Sequence, residues 1–220
     1  MISFNIASIE SRSNELVKTI DSIIDQVDIV NICLNNYTIN PYIHQKVNVV
    51  FADNEHGDAG KFLFLDRTEG YYLTGDDDLI YPPNYVKDMI KEIDKHGIVT
   101  HHGRSFDTFP IANYYHSATK RYRCLNDNLE LTTVQFGGTG VMGFNTKHFN
   151  PPFDIFKRSN MADIWIGLYA DKMDKKIWVL PHNEDYFVYQ HVQDTIWEEK
   201  HLNDEYETKV VNDYFLPQQL

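Results

Sequence analysis

Five short apolar runs rich in Val, Ile, Leu and aromatic residues, at 2–7, 27–34, 47–51, 71–74 and 98–100, punctuate the first hundred residues. The elements between them restrict the architecture. Leu16, Ile20, Ile23 and Ile24 recur at helical spacing after the first run, with Ser13 or Asn14 as caps. A loop around Pro41 separates the second and third runs, and a short helix is expected across 61–66. After the fourth, Pro82 or Pro83 suits the first turn of a helix whose apolar face is Val86, Met89, Ile90 and Ile93. Strand, helix, strand, loop and strand at these separations open a parallel sheet with crossovers. The expected class is α/β, a mostly parallel central sheet flanked by helices.

The second half is less regular. Residues 105–130 are rich in Tyr, His, Asn and Arg and read as irregular chain or an edge hairpin. Residues 141–144 look like a strand, and 161, 164, 165 and 168 form a helical stripe with Asp163 near its start. Residues 177–180 read as the last strand, halted by Pro181, and the acidic tail from Gln193 as helix-prone up to about Tyr206. A length of 220 residues suits one domain, 1–220.

The fourth run, Tyr71-Tyr72-Leu73-Thr74, stops at Gly75, and Asp76-Asp77-Asp78 follow at once. Adjacent carboxylates repel, and oxygen-only ligation suits Mg2+ or Mn2+ completed by water and substrate phosphates. An acidic turn is the plain alternative. In an open α/β sheet, ligands bind beyond the carboxyl ends of the strands. Ser8, Asn35, the Asp58 loop and the aspartates all follow successive strands, so one cleft collects them. A nucleotide suits that cleft: Ser8 near base or ribose, Asp58 for a base N–H, and Lys61 or Arg12 for a diphosphate. Asp58 as a cap of the helix bearing a solvated Lys61 is the competing reading. Asp163 reads as a general base, as a holder of leaving group or acceptor, or as an ordinary acid at a helix start.

Other motifs are weak. Gly57-Asp58-Ala59-Gly60-Lys61 is too short for a Walker loop and no Ser or Thr follows the lysine. Gly137-Gly138-Thr139-Gly140 reads as a loop that lets a substrate approach the backbone. His101, His102, His182 and His191 lie near strand ends where a histidine could complete a metal shell, but no zinc spacing is present. A net charge of -12 argues against non-specific nucleic-acid binding. Two cysteines, Cys33 and Cys124, indicate no disulfide scaffold. With no signal-peptide pattern and no run of roughly 18 apolar residues, the chain reads as soluble and cytoplasmic, without a transmembrane segment.

The arrangement resembles nucleotide-sugar glycosyltransferases of the GT-A fold, whose Asp-x-Asp motif would be Asp76-Asp77-Asp78. A nearer similarity is to heparosan-type capsule α-N-acetylglucosaminyltransferases. It rests on Asn5-Ile6-Ala7-Ser8, Arg12, Asn31-Ile32-Cys33-Leu34-Asn35, Gly57-Asp58-Ala59-Gly60-Lys61-Phe62 and residues 73–86. A glycosyltransferase domain of a multi-domain protein from chlorella-type viruses looks like the same lineage, which fits further domains in a larger chain.

The resemblance implies a metal-dependent enzyme moving a sugar from a UDP-sugar to a glycan acceptor, with retention favoured over inversion. It implies that Asp78 ligates Mn2+ or Mg2+ and that Asp76 sits near metal or ribose. It places Asp58 at uracil, Ser8, Arg12, Asn35, Lys61 and Asp77 beside the nucleotide, and Asp163 at the reacting centre. His182 or His191 is left as a further metal ligand. Residues 1–100 would bind the nucleotide and 101–220 the acceptor. The competing classes are a non-catalytic metal or nucleotide-sugar binding module and a nucleotidyltransferase.

Overall fold

The computed structural model describes residues 1–192 and 202–219. Its main sheet takes β1 (Ile2–Ile9), β2 (Ile29–Asn35), β3 (Val47–Ala52), β4 (Tyr71–Gly75), β6 (Ile98–Thr100), β9 (Thr132–Val134), β11 (Val141–Asn145) and β12 (Ile177–Val179). Two small sheets use β5 (Leu79–Ile80) with β13 (Val188–Tyr189), and β7 (Gly103–Ser105) with β8 (Lys120–Tyr122) and β10 (Phe136–Gly137). The helices are α1 (Ser13–Ile23), α2 (Tyr85–His96), α3 (Ala162–Lys172) and α4 (Glu205–Phe215).

The main sheet runs β3-β2-β1-β4-β11-β6-β12-β9. β3, β2, β1 and β4 are mutually parallel, β11 is antiparallel to both its neighbours, β12 is parallel to β6, and β9 closes the far edge antiparallel. The mostly parallel sheet is therefore observed, with mixed strands in its second half. β1 and β2 are buried at most positions because both faces of the sheet are covered, the usual setting of parallel strands.

On one face, α1 and α2 bring Leu16, Ile20, Tyr85 and Met89 onto Phe4, Ile32 and Leu73. On the other, Phe62, Tyr72 and Phe144 pack with Ala162 and Ile166 of α3. The stripe foreseen on α3 covers a third cluster, where Met161, Ile164 and Leu168 meet Phe106, Tyr114 and Val211. α3 is buried on two sides, so one stripe described half of its packing.

A polar ladder crosses the parallel strands inside the sheet. Asn48 Nδ2 donates to Asn31 Oδ1 at 3.2 Å, Asn31 Nδ2 to Asn5 Oδ1 at 2.8 Å, and Asn5 Nδ2 to the Leu73 carbonyl at 2.9 Å. A one-residue slip would break every bond in it, so the ladder ties four strands to one register.

Several local expectations are corrected. α1 grows directly out of a 3-10 turn at Glu10–Arg12, so Ser13 and Asn14 lie inside it and cap nothing. Residues 57–67 form two 3-10 turns, Gly57–Phe62 and Leu65–Arg67, where one short helix was expected. α2 begins beyond both prolines, and Gln26 Oε1 accepts the Val86 N–H at 3.2 Å in place of a local cap. β12 is followed by β13, whose pairing with β5 needs residues far apart in sequence. Of the tail, 193–201 lie outside the described residues; the described helix there is Glu205–Phe215. Among the described residues no helix is long and apolar enough to cross a membrane.

Candidate active site

β1 is the strand where the order divides: β2 and β3 lie to one side and β4 to the other. The crevice beyond the carboxyl ends of β1 and β4 is where such sheets bind ligands. A cavity of about 620 Å³ opens there. Arg12 reaches it from beyond β1, Asp76 and Asp78 from the end of β4, and Asp58 from the 3-10 turn Gly57–Phe62. Asp163 joins them from the first turn of α3.

Gly75, the last residue of β4, has no room for a side chain, because a Cβ there would stand 2.3 Å from the Phe4 ring. The three aspartates that follow have different surroundings. Asp76 is half exposed and receives Lys61 Nζ at 2.6 Å. Its backbone N–H donates to the Tyr81 hydroxyl at 2.9 Å, which in turn donates to the Gly140 carbonyl at 2.6 Å. Asp77 is buried and pairs with Arg12 Nη1 at 3.1 Å. Burial pushes its carboxyl up, opposed by Arg12. Asp78 is pushed up to about 7, by burial first and then by Asp76 and Asp77.

The structure does not bring every foreseen residue to the cavity surface. Ser8 and Asn35 are buried; the Ser8 hydroxyl shares a 2.8 Å bond with the Tyr37 hydroxyl, and Asn35 Oδ1 accepts from Cys33 Sγ. Lys61 and Asp77 stand behind the cavity wall. For Lys61, burial alone would lower the pKa, but Asp76 and Asp58 outweigh it and raise it. It is a buried counter-ion, which disposes of the solvated-surface reading.

Asp58 does cap a helix, though a different one from that considered. Its Oδ2 accepts the Ala162 N–H at 3.0 Å, so it caps α3 from 104 positions away. Its Oδ1 is buried without a hydrogen-bond partner, and burial pushes the group up to about 6 against the pull of Lys61. Asp163 Oδ1 takes two bonds from Thr139, from N–H at 2.7 Å and from Oγ1 at 2.8 Å. Both of these bonds fall on one carboxylate oxygen, Oδ1.

Of the histidines, His182 is ruled out as a metal ligand by its partners: it is buried, with ring nitrogens 2.9 Å from the Leu180 carbonyl and 3.3 Å from the Arg123 carbonyl. His101 is buried against Tyr186 and Phe187. His102 lines the cavity as a neutral imidazole, lowered to about 4 by burial and then by Arg104. His191 is exposed and follows Gln190, whose backbone N–H donates to the Asp78 carbonyl at 2.9 Å.

Some lining residues were missed. Arg104, Tyr114, Tyr115, Arg121 and Arg123 form a wall built by β7, β8 and the loop between them. The composition of 105–130 was the available signal, but without periodicity it assigned no side chain to the cleft. Thr139 was read only as part of a glycine-rich loop, and its contact with Asp163 depends on β10 and α3 meeting.

The oxygen donors of Asp76 and Asp78 fit a hard divalent cation that completes its shell with water and phosphate oxygens. Among the described residues no cluster of three His, Cys, Asp or Glu forms a self-sufficient metal cage.

No protein-family model and no curated protein matches the sequence. Solved structures do. Residues 1–349 of S. aureus TarS, in complex with UDP-GlcNAc, superpose with a TM-score of 0.59 at 14% identity, over 96% of this chain and 65% of that one. This chain thus spans just under two thirds of that structure. The 4-diphosphocytidyl-2C-methyl-D-erythritol synthase of Anaerococcus prevotii gives 0.53 at 14%, over 99% and 98%. The bifunctional IspDF of Campylobacter jejuni gives 0.51 at 13%, over 84% and 51%. The chain has the GT-A-like nucleotide-diphospho-sugar transferase fold, shared with nucleotidyltransferases, and at these identities the likeness is one of fold.

Proposed function

We propose that this chain is a metal-dependent glycosyltransferase that moves a sugar from a UDP-sugar to a saccharide acceptor with retention at the anomeric carbon. The observation that carries the reading is the convergence, on one cavity at the sheet's switch point, of Asp76 and Asp78 from β4 with Asp163 from α3. A fold shared with a structure that holds UDP-GlcNAc supports it. On this reading residues 1–100 serve the nucleotide and 101–220 the acceptor.

Asp78 and Asp76 would hold Mn2+ or Mg2+, and His191, next in the chain to the Gln190 whose N–H donates to the Asp78 carbonyl, is the remaining histidine candidate. The bound ion supplies charge neutralisation to the departing diphosphate. Arg12 and Lys61 fix the acidic triplet in place. Asp58 Oδ1, lacking a partner, accepts the uracil N–H. Ser8 and Asn35 support the nucleotide side from behind the wall.

In transfer the anomeric C–O bond to the diphosphate breaks and a bond to the acceptor oxygen forms through an oxocarbenium-like transition state. With retention the acceptor hydroxyl arrives on the leaving-group face and its proton passes to the departing diphosphate. Asp163, oriented by Thr139, stabilises the positive charge on the sugar.

A thermal-shift panel of UDP, GDP, CMP and CTP, each with and without Mn2+, tests this. Stabilisation by UDP in the presence of Mn2+ and not in its absence is expected; about 2.7 kcal/mol accrues at a ligand concentration 100 times Kd. A metal-linked response to CTP with none to UDP selects a nucleotidyltransferase, the alternative that the 0.53 superposition on the diphosphocytidyl-methylerythritol synthase keeps open. Silence with all four overturns both readings.

A further inference from the structure

Three successive carboxylates repel one another, and a free turn would let them splay apart. The turn that carries Asp76, Asp77 and Asp78 has no such freedom, because its main chain is tied at every residue from Asp76 to Leu79. The Asp76 N–H donates to the Tyr81 hydroxyl at 2.9 Å. Thr19 Oγ1, fully buried on α1, stands 2.9 Å from the Asp77 carbonyl and 2.8 Å from the Leu79 carbonyl, so its single hydrogen is shared between them. The Gln190 N–H, just beyond β13, donates to the Asp78 carbonyl at 2.9 Å.

The Gln190 side chain completes the knot. Its Nε2 donates to the Glu15 carbonyl at 3.1 Å, to Thr19 Oγ1 at 3.0 Å and, at the longer distance of 3.4 Å, to the Asp77 carbonyl. Carbonyl oxygens only accept, so the amide can sit only one way round. Its other end, Oε1, is then buried without a hydrogen-bond partner. An unpaired buried acceptor costs stability, so the fold alone gives a weak reason for a glutamine at this place. Holding the turn gives a direct one.

We infer that Thr19 and Gln190 are positioning residues of the acidic turn: they fix the carbonyls of 77–79 so that Asp76 and Asp78 face the cavity side by side before a cation arrives. The inference rests on the metal-dependent reading for the cation, whereas the tie itself stands on the bonds. Arg12 and Lys61 act on this turn through its carboxylates. Thr19 and Gln190 act through its main chain and so occupy no carboxylate oxygen that a cation would need. Preorganisation of this kind raises affinity by removing an ordering cost from the binding step.

Two measurements on the full chain test this: Mn2+ titration in the presence of UDP, followed by the electron paramagnetic resonance of the free ion, and hydrogen exchange by mass spectrometry over 76–81 without metal. Gln190→Met keeps the volume and the main-chain N–H but loses the amide, and Thr19→Val keeps the shape but loses the hydroxyl. Each should weaken Mn2+ binding by about 5-fold or more and speed exchange over 76–81 by a similar factor, the effect of about one lost hydrogen bond. Gln190→Glu, which sets a carboxylate against the Glu15 and Asp77 carbonyls, should bind Mn2+ no better than Gln190→Met. Thr19→Ser should match wild type within about 2-fold. A role in packing alone predicts the reverse order, with Val tolerated and Ser impaired, and that order overturns the inference. Wild-type exchange in both Gln190→Met and Thr19→Val also overturns it, as does faster exchange with Mn2+ affinity intact, which would leave the bonds purely structural. A wild-type protein that binds no Mn2+ overturns the metal-dependent reading instead, and the exchange rates then decide the tie by themselves.

Discussion

Lys61 Nζ lies 2.6 Å from Asp76 Oδ1, with the lysine side chain 3% exposed and the carboxylate 46% exposed. A buried ammonium thus holds a carboxylate whose other side faces the cavity. The pair is asymmetric: the carboxylate reaches water or a ligand, whereas the lysine is buried and feels the charges of Asp58 and Asp163 besides.

Replacing Lys61 with Met therefore separates binding from folding. Removing one partner of a buried pair is costly because the other charge is left uncompensated, but Asp76 is 46% exposed and water can solvate it once the lysine is gone. We expect the unfolding free energy at pH 6 to fall by less than the about 3–5 kcal/mol of a fully buried pair, while UDP·Mn2+ affinity falls by about 10-fold or more. Urea unfolding and titration calorimetry read the two. Collapse of stability with affinity intact would make Lys61 purely structural.

The pH dependence of stability has a definite sign. Asp78 is raised to about 7 and Asp58 to about 6 in the folded chain. Between pH 4 and 7 the native state then holds more protons at these groups than the unfolded chain does, so their contribution falls as pH rises. In metal-free protein, Asp78→Asn should gain about 1–3 kcal/mol relative to wild type at pH 8 and nearly nothing at pH 4. Urea unfolding at both pH values in chelator checks it; a gain that is larger at pH 4 would reverse the sign and refute it. With UDP and Mn2+ the same variant should show no ligand-linked stabilisation.

Gly140 is placed by contact. A Cβ there would stand 1.9 Å from Asp76 Oδ2. Gly140→Ala should displace Asp76 from the cavity while costing the fold about 1–3 kcal/mol, the range for overpacking. The metal-linked UDP shift should vanish in a protein whose circular dichroism is unchanged. A normal shift would show that Asp76 is free to move aside.

Thr139 orients Asp163 through two bonds to a single oxygen. Thr139→Val keeps the shape and the N–H but loses the hydroxyl, a difference of about 1 kcal/mol or about 5-fold in kcat, with donor KM unchanged. Thr139→Ser should restore the rate. An equal loss in Val and Ser variants would mean that the methyl group, in packing, is what matters.

Much of the first half was legible in the sequence for a simple reason. β1, β2 and β4 are local runs whose hydrophobicity matches their burial, β3 is an apolar edge strand that is only partly covered, and Gly75 with the aspartates marks the end of a strand by chemistry alone. The residues with charge at strand ends could therefore be nominated. The α3 stripe and Asp163 at its start were legible for the same reason.

What only the tertiary structure decided is how those residues are used. Ser8 and Asn35 were expected just after their strands, yet Ser8 lies inside β1 and Asn35 is the last residue of β2, both buried; Asp58 meets Ala162 across 104 positions; Arg104 meets Arg121 by antiparallel pairing. The β5–β13 pair carries Gln190 to Asp78, and the asparagine ladder joins β3, β2, β1 and β4 through side chains spaced from 17 to 68 residues apart. Periodicity records which face a residue must bury within its own element, because that is set by local geometry. Which polar group it then meets depends on chain crossings that leave no periodic trace. The sequence alone determined the strand-end placement of the acidic triplet; the packing of distant segments made Asp76 the lysine's partner, Asp77 the buried anchor of Arg12, and Asp78 the carboxyl that burial and its two acidic neighbours push up against the pull of Arg12.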